Sequence, residues 1–300
     1  MSDAAPKKKL LVVVAQKRTG STALGLTLSR GATVHSFGEV FHSARRDEGR
    51  FKLGELHLDA QANFFNFKVD AVRGDPALAH PSEANQSALF DGFMEHLASL
   101  TDRPWMAIDV KYNSWLNFEP VFSAIGHAPF LLRLLRGHGA AILHLKRRRT
   151  FERHCSEELA MRDWRWHAEA GSQAPPPAGI VIDPESALQS MDETHRQMAL
   201  FDGYFRLWPN AGDLAYEDMF GGEGLSAEAL ATMSQIIGEP CDGHHAVPLR
   251  KVTPPLAGLI ENRQELARFF RATPYAAEVA QALDLPLDDG SPGHRPMPMP

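Results

Sequence analysis

The residues best suited to chemistry lie near the N-terminus, in the segment QKRTGST at positions 16–22. This turn carries two cations, one glycine and three hydroxyls. The apolar run from Leu10 to Ala15 predicts a preceding strand buried on both faces, and Leu24 and Leu28 predict a following helix. A strand, a polar glycine turn and a helix together point backbone N–H groups at an anion, and the helix dipole adds attraction. Because Arg18 adds a fixed charge, we expect a phosphate or sulfate site here.

The turn differs from the usual nucleotide triphosphatase loop. That loop requires GxxxxGK followed by Ser or Thr, where the lysine reaches the β- and γ-phosphates and the hydroxyl holds Mg²⁺. The chain contains neither this string nor a GxGxxG segment. An alternative interpretation is that residues 18–22 turn a surface corner and cap a helix, since short glycine turns are common.

A second group of cations follows another apolar run. Residues 140–145 predict a strand, and Lys146 to Arg149 form a basic cluster directly after it. Ser156 lies eight residues beyond Arg148, in a predicted helix over 149–168. Eight helical residues turn through about 800°, which places Ser156 within about 80° of the Arg148 direction and about 12 Å along the axis. One interpretation is that a phosphate spans this gap and binds both residues. The alternative is that the basic cluster is only a solvated charged face.

Glu39 is the candidate general base, in the segment GEVF at positions 38–41. The chain returns after the first helix at this point and can bring Glu39 beside Arg18. An acceptor hydroxyl has a pKa far above 7, so a base assists at the moment of attack. His42 and His35 are the alternatives, since imidazole is the commonest general base. Glu39 as an ordinary surface carboxylate also remains open.

Lys111 is a further candidate for the site. It follows a predicted strand over 105–110, at the edge of an open α/β sheet where ligands bind. The alternative is an ordinary lysine at a strand end.

Together these segments resemble the sulfotransferases that use 3′-phosphoadenosine-5′-phosphosulfate (PAPS). RTGST at 18–22 resembles their 5′-phosphosulfate loop, and Arg148 with Ser156 resembles the pair that binds the 3′-phosphate. YED at 216–218 and IEN at 260–262 also resemble segments of the family. The similarity is greatest to bacterial carbohydrate sulfotransferases that act on trehalose and lipo-oligosaccharide acceptors. It is weakest over residues 43–104 and 165–185.

The resemblance implies a role for each candidate. It implies catalysis by Glu39, Arg18 and Lys111, with PAPS as co-substrate, no metal, and a hydroxyl of a carbohydrate or glycolipid as acceptor. We also place Lys251 at the cofactor, where it closes over the site late in the chain. The predicted cofactor-binding residues are therefore Arg18, Thr19, Gly20, Ser21, Thr22, Arg148, Ser156 and Lys251.

The order of the predicted elements gives the fold class. Strands that alternate with helices predict an α/β, P-loop-like three-layer fold with a central, mainly parallel sheet flanked by helices. Residues 43–84 are predicted to form an irregular excursion. We expect a single sulfotransferase domain over 1–287 and a disordered tail over 288–300. Further helices are predicted at 83–100, 120–136, 185–208, 226–237 and 256–271, and a fourth strand at 213–216.

Composition narrows the classes of function. A net charge of −6 in 300 residues argues against a general nucleic-acid binder, whose surface is basic. Two cysteines are too few for a disulfide framework or a cysteine metal site, and both are expected to be reduced. The apolar run over 10–15 is short for a signal peptide, and no run reaches the roughly 18 residues of a membrane span. We therefore expect a cytoplasmic protein without a membrane span.

Two other functions stay open at this stage. One is a nucleotide-dependent phosphotransferase, which requires a Mg²⁺-holding hydroxyl after a loop lysine and an Asp at a strand end. The other is a nucleotide-binding protein of the same fold without catalysis. The identity of the acceptor and the oligomeric state do not follow from the sequence.

Overall fold

The computed structural model describes most of the chain and divides it into two compact units. Unit 1 comprises residues 1–148 and 197–249, and unit 2 comprises residues 149–196 and 250–300. The prediction of a single domain over 1–287 is not tested by this division. The tail predicted over 288–300 lies outside the described residues. No helix within the described ranges has both the length and the apolar character needed to cross a membrane. The described ranges are 8–42, 61–114, 128–163, 178–222, 224–243 and 255–286.

Unit 1 is built on a five-stranded sheet in which every pair of neighbours is parallel. Its strand order is β2-β3-β1-β4-β5, so β1 lies at the centre. This confirms the predicted α/β class with a parallel central sheet. A short antiparallel pair, β6 and β7, follows β5 along the chain. The strands are β1 Lys9–Ala15, β2 Val34–Ser36, β3 Trp105–Lys111, β4 Ala141–Lys146, β5 Ala211–Ala215, β6 Phe220–Gly221 and β7 Gly224–Leu225.

Helices cover both faces of this sheet. Successive side chains of a strand point to opposite faces, and β1 is apolar and buried from Leu10 to Ala15, so it contributes to the core on both faces. Leu10, Val12 and Val14 pack in one core with α3, α4 and the end of α6. Leu11 and Val13 pack in a second core with α1 and α7. The helices are α1 Ser21–Leu28, α2 Phe64–Gly74, α3 Glu83–Ser99, α4 Phe130–Gly137, α5 Thr150–Asp163, α6 Pro184–Phe205, α7 Ala227–Ile237, α8 Arg263–Phe270 and α9 Ala276–Ala282.

Unit 2 has its own apolar core. The predicted stripe on α5, formed by Phe151, Cys155 and Leu159, packs with α8, α9 and the part of α6 that precedes residue 197. Cys155 and Cys241 are both buried, and neither forms a disulfide within the part of the chain that the structure describes. Arg153 is also buried, and its guanidinium is held by Glu157 and by the Ser190 hydroxyl.

The structure corrects two predicted elements. Residues 64–74, expected to be irregular, form α2, and a 3₁₀ turn follows at Pro76–Ala79. The helix predicted over 256–271 is divided into a 3₁₀ turn at Leu256–Gly258 and α8. Between these two elements the backbone of Leu259 and Glu261 pairs with Ile180 instead of continuing a helix, and the Asn262 side chain pairs with the N–H and the carbonyl of Ile182. The beginning of the helix predicted over 120–136 lies outside the described residues, and its end is α4.

Asn63 fastens the segment after β2 to the start of α2. Its Oδ1 accepts hydrogen bonds from the N–H groups of Phe65 and Asn66, and its amide donates to the carbonyl of His42 at 2.8 Å. Since Asn63 is buried, these bonds are shielded from water. The segment that carries Glu39 is therefore fixed to the helix that follows it.

We predict that Asn63→Ala lowers the free energy of unfolding by about 1–2 kcal/mol, because it removes the helix cap. Asn63→Ser is the matched control, since serine caps helices well but is too short to reach His42. Urea denaturation measures both variants. Equal losses of stability in the two variants would show that the cap contributes nothing.

Candidate active site

The loop between β1 and α1 has the backbone geometry of an anion site. Arg18 and Gly20 both adopt positive φ, of 65° and 80°, and Gly20 caps α1. The Thr19 hydroxyl donates to the carbonyl of Gln16 at 2.7 Å, which closes the turn. Among the described residues, neither a side-chain cap nor a first-turn carboxylate neutralises the N-terminus of α1. The positive end of this helix dipole therefore points at the carboxyl edge of the sheet.

Two residues that follow the neighbouring strands β4 and β5, Arg147 and Tyr216, contact the backbone of this loop and support it. Tyr216, in a 3₁₀ turn directly after β5, packs so closely on Gly20 that a Cβ there would lie 2.8 Å from the ring. The Arg147 guanidinium lies 4.7 Å from the centre of the Tyr216 ring and donates to the carbonyl of Arg18 at 2.9 Å. Arg147 is only 4% exposed, so this cation supports the loop from inside the fold.

Lys111 is the centre of a buried polar cluster in front of the loop. Its Nζ lies 2.7 Å from the Ser21 hydroxyl and 2.7 Å from Asp109 Oδ2. The Glu39 carboxylate is 3.3 Å from the same nitrogen. Asp109 and Lys111 are two positions apart on β3, so they share the face that α1 covers. They are 5% and 6% exposed, whereas the Glu39 side chain is 25% exposed.

Burial and charge pairing shift the pKa values of Asp109 and Lys111 in opposite directions. Burial raises the pKa of Asp109, and the charge of Lys111 opposes that rise. Burial alone would lower the pKa of Lys111, but the charges of Asp109 and Glu39 outweigh it, so the pKa is raised. The ammonium therefore stays charged at neutral pH. One cation and two carboxylates leave the cluster with one negative charge.

The strand order explains how Glu39 reaches the cluster. The Phe37 N–H donates to the carbonyl of Ala107 at 2.9 Å, which continues the pairing of β2 with β3. Gly38 then turns with a φ of 67°, and its carbonyl accepts from the Asp109 N–H at 2.8 Å. Glu39 follows at once, beside Lys111.

The two histidines proposed as alternative bases differ in their surroundings. Burial lowers the pKa of His42, with a smaller opposing effect from Glu39, and Lys17 and Lys111 lower it further. His42 is therefore neutral near pH 7, the form that accepts a proton. His35 lies with its ring centre 4.6 Å from that of Phe37.

The predicted 3′-phosphate residues fall in different parts of the chain. Arg148 is the last residue of the first stretch of unit 1; its side chain is 61% exposed and lies 2.8 Å from an Asp218 oxygen. Glu217 lies 3.7 Å from the same guanidinium. Ser156 is buried within α5 of unit 2. Their joint binding of one phosphate stays a prediction, and Lys251 lies outside the described residues.

Sequence reasoning missed three residues of this site. The first is Asp109, although a lone carboxylate in an apolar strand, two positions before Lys111, marks the same face. The second is Arg147, which belongs to the basic cluster, although the strand alternation after Leu145 turns it toward the loop rather than away. The third is Tyr216, since no local pattern indicates that its ring supports Gly20.

A second polar cluster lies on the opposite face of the sheet. The buried His144 pairs with the Tyr112 hydroxyl at 2.7 Å and with Asp202 at 3.0 Å, and Asp213 is 3.5 Å away. A histidine and two carboxylates at this spacing suit a metal ion. The Lys146 ammonium, however, already lies 2.5 Å from Asp202 and 3.1 Å from Asp213, and it neutralises one of their two negative charges.

The chain matches no protein-family model and no curated protein.

We predict that Gly20→Ala is more destabilising than Gly38→Ala, although both glycines have positive φ. Each substitution places an alanine in the left-handed region, which costs about 1–2 kcal/mol. A Cβ at Gly38 meets no atom within 4 Å, whereas one at Gly20 strikes the Tyr216 ring and the Met219 side chain. We expect an additional loss of about 1–3 kcal/mol for Gly20→Ala in urea denaturation.

The Tyr216→Ala background provides the control for this comparison. With the ring removed, the added cost of Gly20→Ala should fall toward that of Gly38→Ala. Equal losses for the two glycine variants in the wild-type background would contradict the close contact between the loop and Tyr216.

Proposed function

We propose that this chain is a sulfotransferase that moves the sulfuryl group of PAPS to a hydroxyl of a carbohydrate or glycolipid. The observation that carries the proposal is the meeting of three features at one sheet edge. They are a glycine-capped helix N-terminus, the buried Lys111 ammonium, and the Glu39 carboxylate 3.3 Å from it. An anion-binding loop, a fixed cation and a base are what in-line transfer of a charged group requires.

In this proposal the loop binds the donor. The N–H groups of Gly20, Ser21 and Thr22 face the 5′-phosphate, and Arg18 adds a charged donor. The bond between sulfur and the bridging phosphate oxygen breaks, and negative charge develops on that oxygen. Lys111 lies beside the Ser21 hydroxyl and stabilises this charge.

Glu39 acts on the acceptor. The acceptor oxygen forms the new bond to sulfur, and its proton passes to the Glu39 carboxylate. Glu39 suits this role because it is the most exposed of the carboxylates around Lys111. His42, neutral at pH 7, is the alternative base.

A phosphotransferase receives partial support from one observation. Asp109 supplies the carboxylate at a strand end that such an enzyme requires, and Ser21 supplies the hydroxyl. The Lys111 ammonium, however, already contacts both of these oxygens at 2.7 Å. We therefore favour transfer without a metal ion. A nucleotide-binding protein without catalysis remains the third possibility. A reducing compartment such as the cytoplasm suits two buried cysteines that are not joined in a disulfide among the described residues.

Binding of adenosine 3′,5′-bisphosphate in EDTA tests the donor site. We expect this desulfated product to raise the melting temperature, because a ligand that binds only the folded chain stabilises it. Arg148→Ala should weaken the affinity, measured by calorimetry, by roughly tenfold or more.

Arg149→Ala is the matched control for this experiment. Arg149 is a neighbouring, half-exposed arginine that pairs with Glu152 at 3.1 Å, and its loss should leave the affinity nearly unchanged. Stabilisation by ATP with Mg²⁺, but not by the bisphosphate in EDTA, would favour the phosphotransferase instead.

Substitution of Glu39 tests the mechanism. Glu39→Gln keeps an oxygen for Lys111 but removes the base, so turnover should fall by about 10²–10⁴-fold. The affinity for the bisphosphate should change little. The assay follows transfer from radiolabelled PAPS to an acceptor found in a screen of sugars and glycolipids.

His42→Gln and His35→Gln serve as controls and should retain most of the activity. Near-normal turnover of Glu39→Gln beside an inactive histidine variant would assign the base to that histidine. Normal turnover in all three variants would show that the proposed proton transfer is wrong.

A further inference from the structure

The contacts of the Lys111 ammonium indicate a role beyond the proposed stabilisation of the leaving phosphate oxygen of PAPS. It lies 2.7 Å from an oxygen of Ser21, the first residue of the helix after the loop. It lies equally far from an oxygen of Asp109, on the strand beside β1. A single cation therefore joins a loop hydroxyl and a carboxylate near the end of the neighbouring strand.

The same two kinds of oxygen have a defined task in P-loop nucleotide triphosphatases. There the hydroxyl after the loop and an Asp at a strand end hold Mg²⁺, which neutralises the charge that develops during transfer. In this chain both oxygens are present, and both contact a nitrogen of the protein itself.

We propose that Lys111 is a tethered cation in the place of a divalent metal ion, and that Asp109 is the residue that positions it. The statement that this cation faces the transferred group rests on the proposed sulfotransferase function. The statement that Lys111 fills a cation position does not, because it depends only on the oxygens around the nitrogen.

The number and origin of these oxygens support the proposal. Ser21, Asp109 and Glu39 come from three different segments and converge on one nitrogen at 2.7, 2.7 and 3.3 Å. Divalent ions bind oxygens at about 2.0–2.6 Å, so small side-chain movements would suffice to bring them into range. The second oxygen of Asp109, Oδ1, is buried and has no hydrogen-bond partner among the described residues, so it can accept a further contact.

The charges of Lys111, Asp109 and Glu39 also agree with a cation position. Lys111 neutralises one of the two carboxylates, whereas a divalent ion would neutralise both. A tethered ammonium also stays with the protein when the product leaves, so transfer does not depend on the supply of a metal.

Removal of the lysine tests the proposal directly. We expect Lys111→Ala to bind Mn²⁺ at pH 8 at least tenfold more tightly than the wild type, measured by electron paramagnetic resonance. Mn²⁺ is the probe because it prefers carboxylate, hydroxyl and water ligands. The wild type is the baseline, since it keeps His144, Asp202 and Asp213, the other cluster that suits a metal.

The double variant Lys111→Ala with Asp109→Asn provides the control. It should lose the added Mn²⁺ affinity, whereas a purely structural role for Asp109 would leave that affinity in place. Lys111→Asn is a second variant that supplies an amide oxygen in place of the nitrogen, and it should bind Mn²⁺ like Lys111→Ala.

Three outcomes would overturn the proposal. The first is folded single variants that bind Mn²⁺ no better than the wild type. The second is added affinity that survives Asp109→Asn. The third is failure of both single variants to fold with or without Mn²⁺, since a divalent ion should restore the charge balance. Tight Mn²⁺ binding in a chain whose wild type transfers no sulfuryl group would instead uphold the cation position and refute only the proposed function.

Discussion

The site depends on one buried ion pair, formed by Asp109 and Lys111. Charges removed from water carry a large desolvation cost, which is offset only when their partners are close and well placed. Here Lys111 Nζ lies 2.7 Å from Asp109 Oδ2, and Ser21 and Glu39 supply further oxygens to the ammonium. Because removal of either member would leave the other charged and buried, this pair fixes how β3 and α1 meet.

The parallel sheet brings the other parts of the site to this pair. The carboxyl ends of parallel strands lie at one edge, so the loop after β1, the end of β3 and the residues after β4 and β5 converge. Arg147 and Tyr216 come from the last two of these strands and support the loop backbone. The loop can therefore keep the positive φ values of Arg18 and Gly20 without help from a bound ligand.

Local patterns in the sequence were enough to predict much of this arrangement. Short apolar segments indicated the four longest strands. The loop was located by the apolar run over 10–15 before it and by the helix signal after Gly20. What the sequence did not reveal depends on contacts between distant segments. No local pattern shows that Lys111 and Asp109 meet Ser21 and Glu39, or that α2 forms where charged and aromatic residues are mixed. Such features are set by which strands become neighbours.

A crystal structure of the chain with adenosine 3′,5′-bisphosphate tests the central claim most directly. We predict the 5′-phosphate at the N–H groups of Gly20, Ser21 and Thr22, with Lys111 still in contact with both Ser21 and Asp109. A bisphosphate bound away from this loop, or a Lys111 side chain turned away from Asp109, would contradict it.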